Sequence, residues 1–383
     1  MVKSYANEEE SDYRRINFYC SIHFFVFYLY NRDVSNPEIF YGITEMVKYG
    51  ALLSLTIGIC CSEYKKRQIA WIGVISVLDI FVMFKSGVMT FVIITLFAIL
   101  GTKIEDKMLF KVAFLTLLNF LIITILFCWI GIYQDNITNR YVGTNNRHSL
   151  GFYHSNVLPL VVSYMVGYYS AFKNRVKKTT CFFIFICAAI LFEVCGSRNA
   201  FLITVLIVLC KLIDQSVRDH NKKLETSIKR FLFKPAEYSA LFLFVISVGL
   251  PLMLTKIKLL SVIDYLFSYR FSYTLMKIET NGLHLFPQMS NEVYFADKIV
   301  VDNGYAFVAI RYGLIVSILL CIGVMAAAKY YKKNMFALMM IILVTLENIV
   351  DNDIIDYSCL PYLIIIEKCV IMGIKDRKKL WKT

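Results

Sequence analysis

Long apolar stretches separated by short polar ones run through this 383-residue chain. The stretch from Phe110 to Tyr133 is a clear example, and it has the length of about 20 residues that a helix needs to cross a bilayer. About twelve such stretches can be laid out, at 15–30, 39–60, 68–84, 86–101, 110–132, 150–172, 180–196, 199–213, 239–255, 305–328, 335–350 and 358–373. They are continuous rather than alternating. They therefore fit helices, which close their own backbone hydrogen bonds, and not the strands of a membrane barrel. Two neighbouring pairs are joined by tight turns, at Lys85-Ser86-Gly87 and at Gly196-Ser197-Arg198, and the count falls if one pair is re-entrant. The first stretch is short and carries His23. The predicted class is an all-α polytopic membrane protein, with residues 1–383 as one transmembrane domain.

The polar gaps give an orientation. Lys65-Lys66-Arg67, Lys103/Lys107/Lys111, Lys173/Arg175/Lys177/Lys178, Lys222/Lys223/Lys229/Arg230 and Lys329/Lys332/Lys333 occupy alternate gaps. The tail Lys375/Arg377/Lys378/Lys379/Lys382 falls on the same side. The positive-inside bias then predicts both termini in the cytoplasm. These clusters carry most of the net charge of +13. Anionic lipid headgroups are therefore the expected counterpart of that charge, and nucleic acid is not. Composition agrees, at 58% hydrophobic and 18% charged, outside the range of soluble domains. The start, Met1 to Tyr13, is polar and acidic, and no small-residue cleavage site follows the first apolar run, which reads as an uncleaved anchor. The eleven cysteines are scattered without CxxC spacing and read as small apolar side chains.

Two gaps predicted to face outward are long. Residues 133–149 read YQDNITNRYVGTNNRHS and hold Arg140, Arg147 and His148. Residues 256–304 form the longest gap, a large extracytoplasmic loop. Within it, Phe267, Phe271, Leu275 and Ile278 share one helical face, with Arg270, Tyr273 and Lys277 beside them. This predicts an amphipathic helix, either a lid over a cavity or a helix packed on the bundle. Arg140, Arg147, Arg198 and Arg270 all fall on the outward side, where the positive-inside bias does not explain them. Guanidinium groups suit bidentate phosphate binding, so the expected ligand is a lipid-linked phosphate or diphosphate.

Four short motifs carry candidate chemistry, each with two readings. His154 in GFYHSN is either a general base toward a sugar hydroxyl or a histidine satisfied at a helix end. Arg198 in GSRN needs an anion, or pairs with Glu193 or another acid. Asp302 in VDNGYAF either caps the helix that follows or orients a histidine or arginine. Asp351-Asn352-Asp353 has the spacing of a divalent-metal pair, or is polar sequence at a span end.

In this order the segments Arg147-His148-Ser149-Leu150-Gly151-Phe152-Tyr153-His154-Ser155-Asn156, Gly196-Ser197-Arg198, Tyr269-Arg270-Phe271 and Asp302-Asn303-Gly304-Tyr305 resemble the Wzy-type O-antigen and capsular polysaccharide polymerases and the wider O-antigen ligase group. Family members commonly read Gly-Phe-x-His-Pro-Asn at the first segment, where Ser155 replaces the proline. They often read Ser-Arg-Thr at the second, where this chain has Asn199. The resemblance covers roughly residues 140–312, and the first five stretches match only as generic hydrophobic helices.

The resemblance implies a GT-C-like helical bundle in the bacterial plasma membrane, working at its outer face. It implies metal-independent glycosyl transfer without a cofactor, from undecaprenyl diphosphate onto an incoming lipid-linked repeat unit. The residues carried over are His154, Arg198 and Arg270 as catalytic groups, and Arg147, Arg140, Asn156, Asp302 and Tyr305 as substrate-binding groups. The implied partners are the undecaprenyl-diphosphate-linked oligosaccharide, membrane lipids, a chain-length regulator and a flippase. Three rivals stand beside it. They are a lipid-linked oligosaccharide flippase, a ligase of the same group, and a metal-dependent glycosyltransferase using polyprenyl phosphate sugars.

Overall fold

The computed structural model describes residues 18, 20–22, 34–35, 41–138, 146–254, 258–266, 269–288, 301–351 and 359–373. These form helices α1 Tyr41–Cys60, α2 Lys66–Ser86, α3 Thr90–Gly101, α4 Asp106–Trp129, α5 Val157–Phe172, α6 Lys178–Cys195 and α7 Arg198–His220. They continue with α8 Lys222–Met253, α9 Lys258–Leu266, α10 Arg270–Asn281, α11 Gly304–Tyr330, α12 Met335–Glu347 and α13 Leu360–Met372. No strand occurs among the described residues, where pairing is limited to two isolated bridges, Val34 with Phe152 and Thr138 with Arg147. Among the described residues six helices (α2, α4, α6, α7, α8 and α11) are long and apolar enough to cross a membrane, while α3, α5 and α12 are apolar but shorter. Large apolar side chains such as Phe84, Phe182, Phe183 and Val245 stand exposed along them. That surface suits lipid and would be a liability in water. The 15–30 stretch lies almost wholly outside the described residues.

The chain divides into two compact units. The first comprises residues 1–63 and 99–219, the second 64–98 and 220–383. In the first unit α5 is apolar and buried on most sides, as expected of a helix without a polar face. Phe110 stacks on Tyr168, with ring centroids 5.8 Å apart, and Phe114 meets Tyr169 and Phe172, so α4 packs along α5. From α7, Thr204 Oγ1 lies 2.8 Å from Ser163 Oγ on α5, and Ser163 also donates to the Ala200 carbonyl. Such hydroxyl contacts hold apolar helices together where the hydrophobic effect contributes little. Helix α6 buries Cys181, Ala188 and Cys195, a seven-residue repeat of small side chains along one seam, and leaves its phenylalanines outward.

In the second unit α8 packs along α11 and α12, and α13 closes against α11 and α2. The core joins Ala240 and Leu243 of α8 to Tyr305, Ala306, Phe307 and Cys321 of α11, with Ile278 of α10 beneath. Glu237 is buried on α8 and held by Lys234 at 3.0 Å and by Lys329 of α11 at 3.1 Å. The basic run Lys222 to Arg230 reads from sequence as a gap, yet it is helical. Asn221 caps it by accepting the Leu224 N–H at 2.9 Å, and Glu225 pairs with Lys229 one turn on. Helix α8 therefore spans 32 residues without interruption.

Helix α11 is broken at Gly313, which has φ 85° and ψ 164°. The chain at 284–288 fills the break. Leu314 N–H donates to the His284 carbonyl at 2.9 Å, Ile315 N–H to Leu285 at 3.3 Å, and Gln288 N–H to Arg311 at 3.1 Å. Backbone groups freed by a break inside an apolar helix are costly unless something replaces their partners. Here a neighbouring segment replaces them.

Candidate functional site

Two groups of candidate residues are described, one in each unit. In the first unit the loop between α4 and α5 is built around Asp135. One carboxylate oxygen, Oδ1, accepts the N–H groups of Ser149 and Leu150, both at 2.8 Å. This holds Leu150 at φ 50°, a backbone region that side-chain-bearing residues rarely adopt. The other oxygen, Oδ2, lies 2.6 Å from His148 Nδ1. Asn136 N–H donates to Ser149 Oγ, and its side chain reaches the carbonyls of Phe152 and Tyr153. Thr138 and Arg147 exchange both backbone hydrogen bonds at 3.0 Å. Burial alone would raise the Asp135 carboxyl. The hydrogen bonds from His148, Leu150 and Ser149, together with the His148 charge, outweigh burial and hold it below its ordinary value.

Arg147 ties this loop to the α6–α7 turn. Its Nε donates to the Cys195 carbonyl at 2.8 Å, and Nη2 donates to Asn156 Oδ1. His148 N–H donates to the Val194 carbonyl. Gly196, at φ 66°, ends α6 in the left-handed conformation. A β-carbon there would lie 2.7 Å from Arg147 Nε. The turn thus brings Arg147, His148 and Asn156 into one folded unit. His154 is part of the same loop, and its Nδ1 accepts the Asn156 backbone N–H at 3.1 Å. Arg198 is the first residue of α7 and is exposed. It shows neither hydrogen bond nor ion pair among the described residues, and the Glu193 pairing weighed from sequence is not formed there. Arg140 lies outside the described residues.

In the second unit Arg270 begins α10. Asp264 on α9 organises this start: it accepts Phe271 N–H at 2.8 Å and Ser272 N–H at 3.3 Å. The preceding Tyr269 takes φ 63°. The guanidinium lies between two carboxylates, Nε 3.7 Å from Asp302 and Nη1 3.7 Å from Asp351. Both distances exceed hydrogen-bonding range. Arg270 Nη1 is buried and makes no hydrogen bond among the described residues. The two acids meet because the start of α11 and the end of α12 touch backbone to backbone, with Gly304 N–H donating to the Asn348 carbonyl at 2.9 Å. Asn348 and Asn303 are both buried beside this contact.

Of the two readings of Asp302, the cap of α11 is not the one observed. Asn303 is the cap, its Oδ1 accepting Ala306 N–H at 3.1 Å. Asp302 instead faces Arg270, its Oδ2 3.7 Å from the guanidinium Nε. Tyr305 is buried and gives its hydroxyl to the Thr345 carbonyl at 3.0 Å. Lys277, placed by the pattern on the polar side of α10, is buried with Phe271, Thr274 and Ile278. Of the Asp351-Asn352-Asp353 run only Asp351 lies within the described residues. No group of three or more His, Cys, Asp or Glu arranged for a metal ion occurs among the described residues.

Sequence reasoning passed over Asp135 as a functional residue. The only available signal was an aspartate in the same polar gap as a histidine, 13 residues away, and pairing across that distance depends on how the loop folds. Compared with protein-family models, with characterised proteins and with solved structures, the chain finds no match.

Proposed function

We propose that this protein is a polysaccharide polymerase of the bacterial plasma membrane. In this reading it crosses the membrane about twelve times with both termini in the cytoplasm. It moves a growing glycan from undecaprenyl diphosphate onto an incoming lipid-linked repeat unit at the outer face. The observation that carries the reading is Arg270. Its guanidinium is held in place by Asp302 and Asp351 at 3.7 Å, while its buried Nη1 has no hydrogen bond among the described residues. A buried donor left without a hydrogen bond costs about 1–3 kcal/mol, and more when it is charged. An oxygen-rich anion would take up that donor. Breaking an anomeric carbon–oxygen bond places negative charge on a departing diphosphate, and a preorganised guanidinium stabilises charge where it develops. In the other unit the exposed Arg198, at the start of α7, offers a second guanidinium, and the loop that carries Arg147 resembles the polymerases in sequence.

The test is a deletion in the host, complemented with wild type, Arg270→Ala or Arg198→Ala, with surface and lipid-linked glycan sized on a gel. The expected result is single lipid-linked repeats on the outer leaflet and no long polymer in the deletion and the arginine variants. Long polymer stranded on its lipid carrier would make the protein a ligase. Single units trapped on the inner leaflet would make it a flippase and move the arginines from catalysis to transport.

A further inference from the structure

His148 and Asp135 form a pair whose geometry fixes the state of the imidazole. Asp135 uses both carboxylate oxygens: Oδ1 accepts two backbone N–H groups at 2.8 Å, and Oδ2 faces His148 Nδ1 at 2.6 Å. The hydrogen bonds on both oxygens favour the ionised carboxylate, which can only accept, so the proton between the two residues belongs to Nδ1. The lone pair of neutral His148 is then on Nε2, for which no partner occurs among the described residues. The His148 side chain is 38% exposed. His154 is arranged in the opposite sense. Its Nδ1 accepts the Asn156 N–H, so the proton of the neutral ring is on Nε2, which can donate and cannot accept.

The loop is built to keep this pair in place. The His148 N–H is tied to Val194 at the end of α6, Arg147 is paired to Thr138 through the backbone, and Leu150 is held at φ 50° by the same carboxylate. Backbone strain of about 1–3 kcal/mol is retained where the surroundings fix it, commonly at working sites. Among the described residues, the thiols of Cys128 on α4 and Cys195 on α6 also lie within electrostatic reach of Asp135, and the nearby Arg147 guanidinium points to Cys195 and Asn156.

We propose that His148 Nε2, oriented by Asp135, accepts the proton of the attacking sugar hydroxyl, the role first considered for His154. The inference rests on the polymerase reading. In the step, the acceptor oxygen forms a bond to the anomeric carbon of the donor. The anomeric bond to the diphosphate breaks, its electron pair leaves with the diphosphate, and the hydroxyl proton passes to Nε2. The imidazolium formed is stabilised by Asp135, and its proton returns to water. Nothing is oxidised or reduced. His148 is the catalytic residue and Asp135 a positioning residue.

The experiment uses the full-length protein in vesicles, with lipid-linked repeat units extracted from the deletion strain, and measures polymer formation across about pH 5 to 9, where imidazoles change charge. Wild type is expected to show a rate that rises with pH and levels off. His148→Gln should lose the rising limb and about 10²–10⁴-fold in rate, and free imidazole should restore part of the rate in His148→Gly. Asp135→Asn lets a carboxamide donate to Nδ1, which moves the ring proton to Nε2, so its rate should fall while substrate binding holds. Asp135→Glu should recover it, and His154→Gln should keep the rising limb. A folded His148→Gln protein with a rate within about tenfold of wild type and the same limb would overturn the assignment and leave the polymerase reading standing. Wild-type protein that forms no polymer at any pH would remove both. Loss of the limb in His154→Gln, with His148→Gln unaffected, would return the role to His154.

Discussion

Gly196 lies against Arg147 so closely that a β-carbon on the glycine would sit 2.7 Å from the guanidinium Nε and 3.1 Å from the Cδ behind it. The contact joins the end of α6 to the loop that carries His148 and Asn156.

Gly196→Ala should therefore destabilise the protein twice over. An alanine at φ 66° is strained by about 1 kcal/mol, and the new methyl must push Arg147 away from the Cys195 carbonyl. The combined loss expected is about 2–3 kcal/mol. Gly131→Ala separates the two effects, since Gly131 has φ 80° and open space around it. Thermal melting of both variants in detergent should show the larger loss at 196. Equal losses would mean that the Arg147 contact contributes nothing.

The carboxyl of Asp135 is held below its ordinary value of 3.8. A carboxyl depressed in the folded state stabilises the fold above its unfolded value, and that stability disappears as pH falls through the folded value. The loop should therefore weaken below about pH 4. Asp135→Ala removes an acceptor from two backbone N–H groups and should cost about 1–3 kcal/mol at neutral pH. The gap in melting temperature between wild type and variant should narrow as pH falls below about 4. A gap that stayed constant with pH would show that the charge of Asp135 is not what holds the loop.

Gly313→Ala should be harsher than either. The added carbon would lie 2.6 Å from the Leu285 carbonyl oxygen and 2.7 Å from the Phe286 carbonyl carbon, at φ 85°. These are backbone atoms, so no side-chain rotation relieves the clash. A loss of roughly 3 kcal/mol or more is expected, read as reduced yield of monodisperse protein and new protease cleavage near 284–288. Normal yield and an unchanged digest would mean that the break in α11 is not required.

Much of the helical layout was legible because long apolar runs admit few alternatives in lipid. Both glycine turns were legible too. Gly87 and Gly196 end their helices at φ 70° and 66°, as a glycine between two apolar runs suggests. The start of α8 was hidden because a basic run that follows one apolar stretch reads as a gap, while its Asn221 cap and Glu225–Lys229 pair favour helix locally. Asn303 was overlooked as a cap because Asp302 beside it is an equally good cap by type. The break at Gly313 had no distinctive signal, since glycine inside an apolar helix is common. The Asp135–His148 pair depends on a loop fold that no periodicity encodes.

The filled break in α11 bears on how the region can be labelled or altered. Residues 284–288 belong to the connecting loop by sequence, yet they complete the backbone ladder of a helix thirty residues downstream. A probe attached there would report on the helix core and not on loop motion. A one-residue insertion before His284 would shift which carbonyl meets Leu314 and so change the helix without touching its own sequence. Length in this stretch is under tighter constraint than its composition.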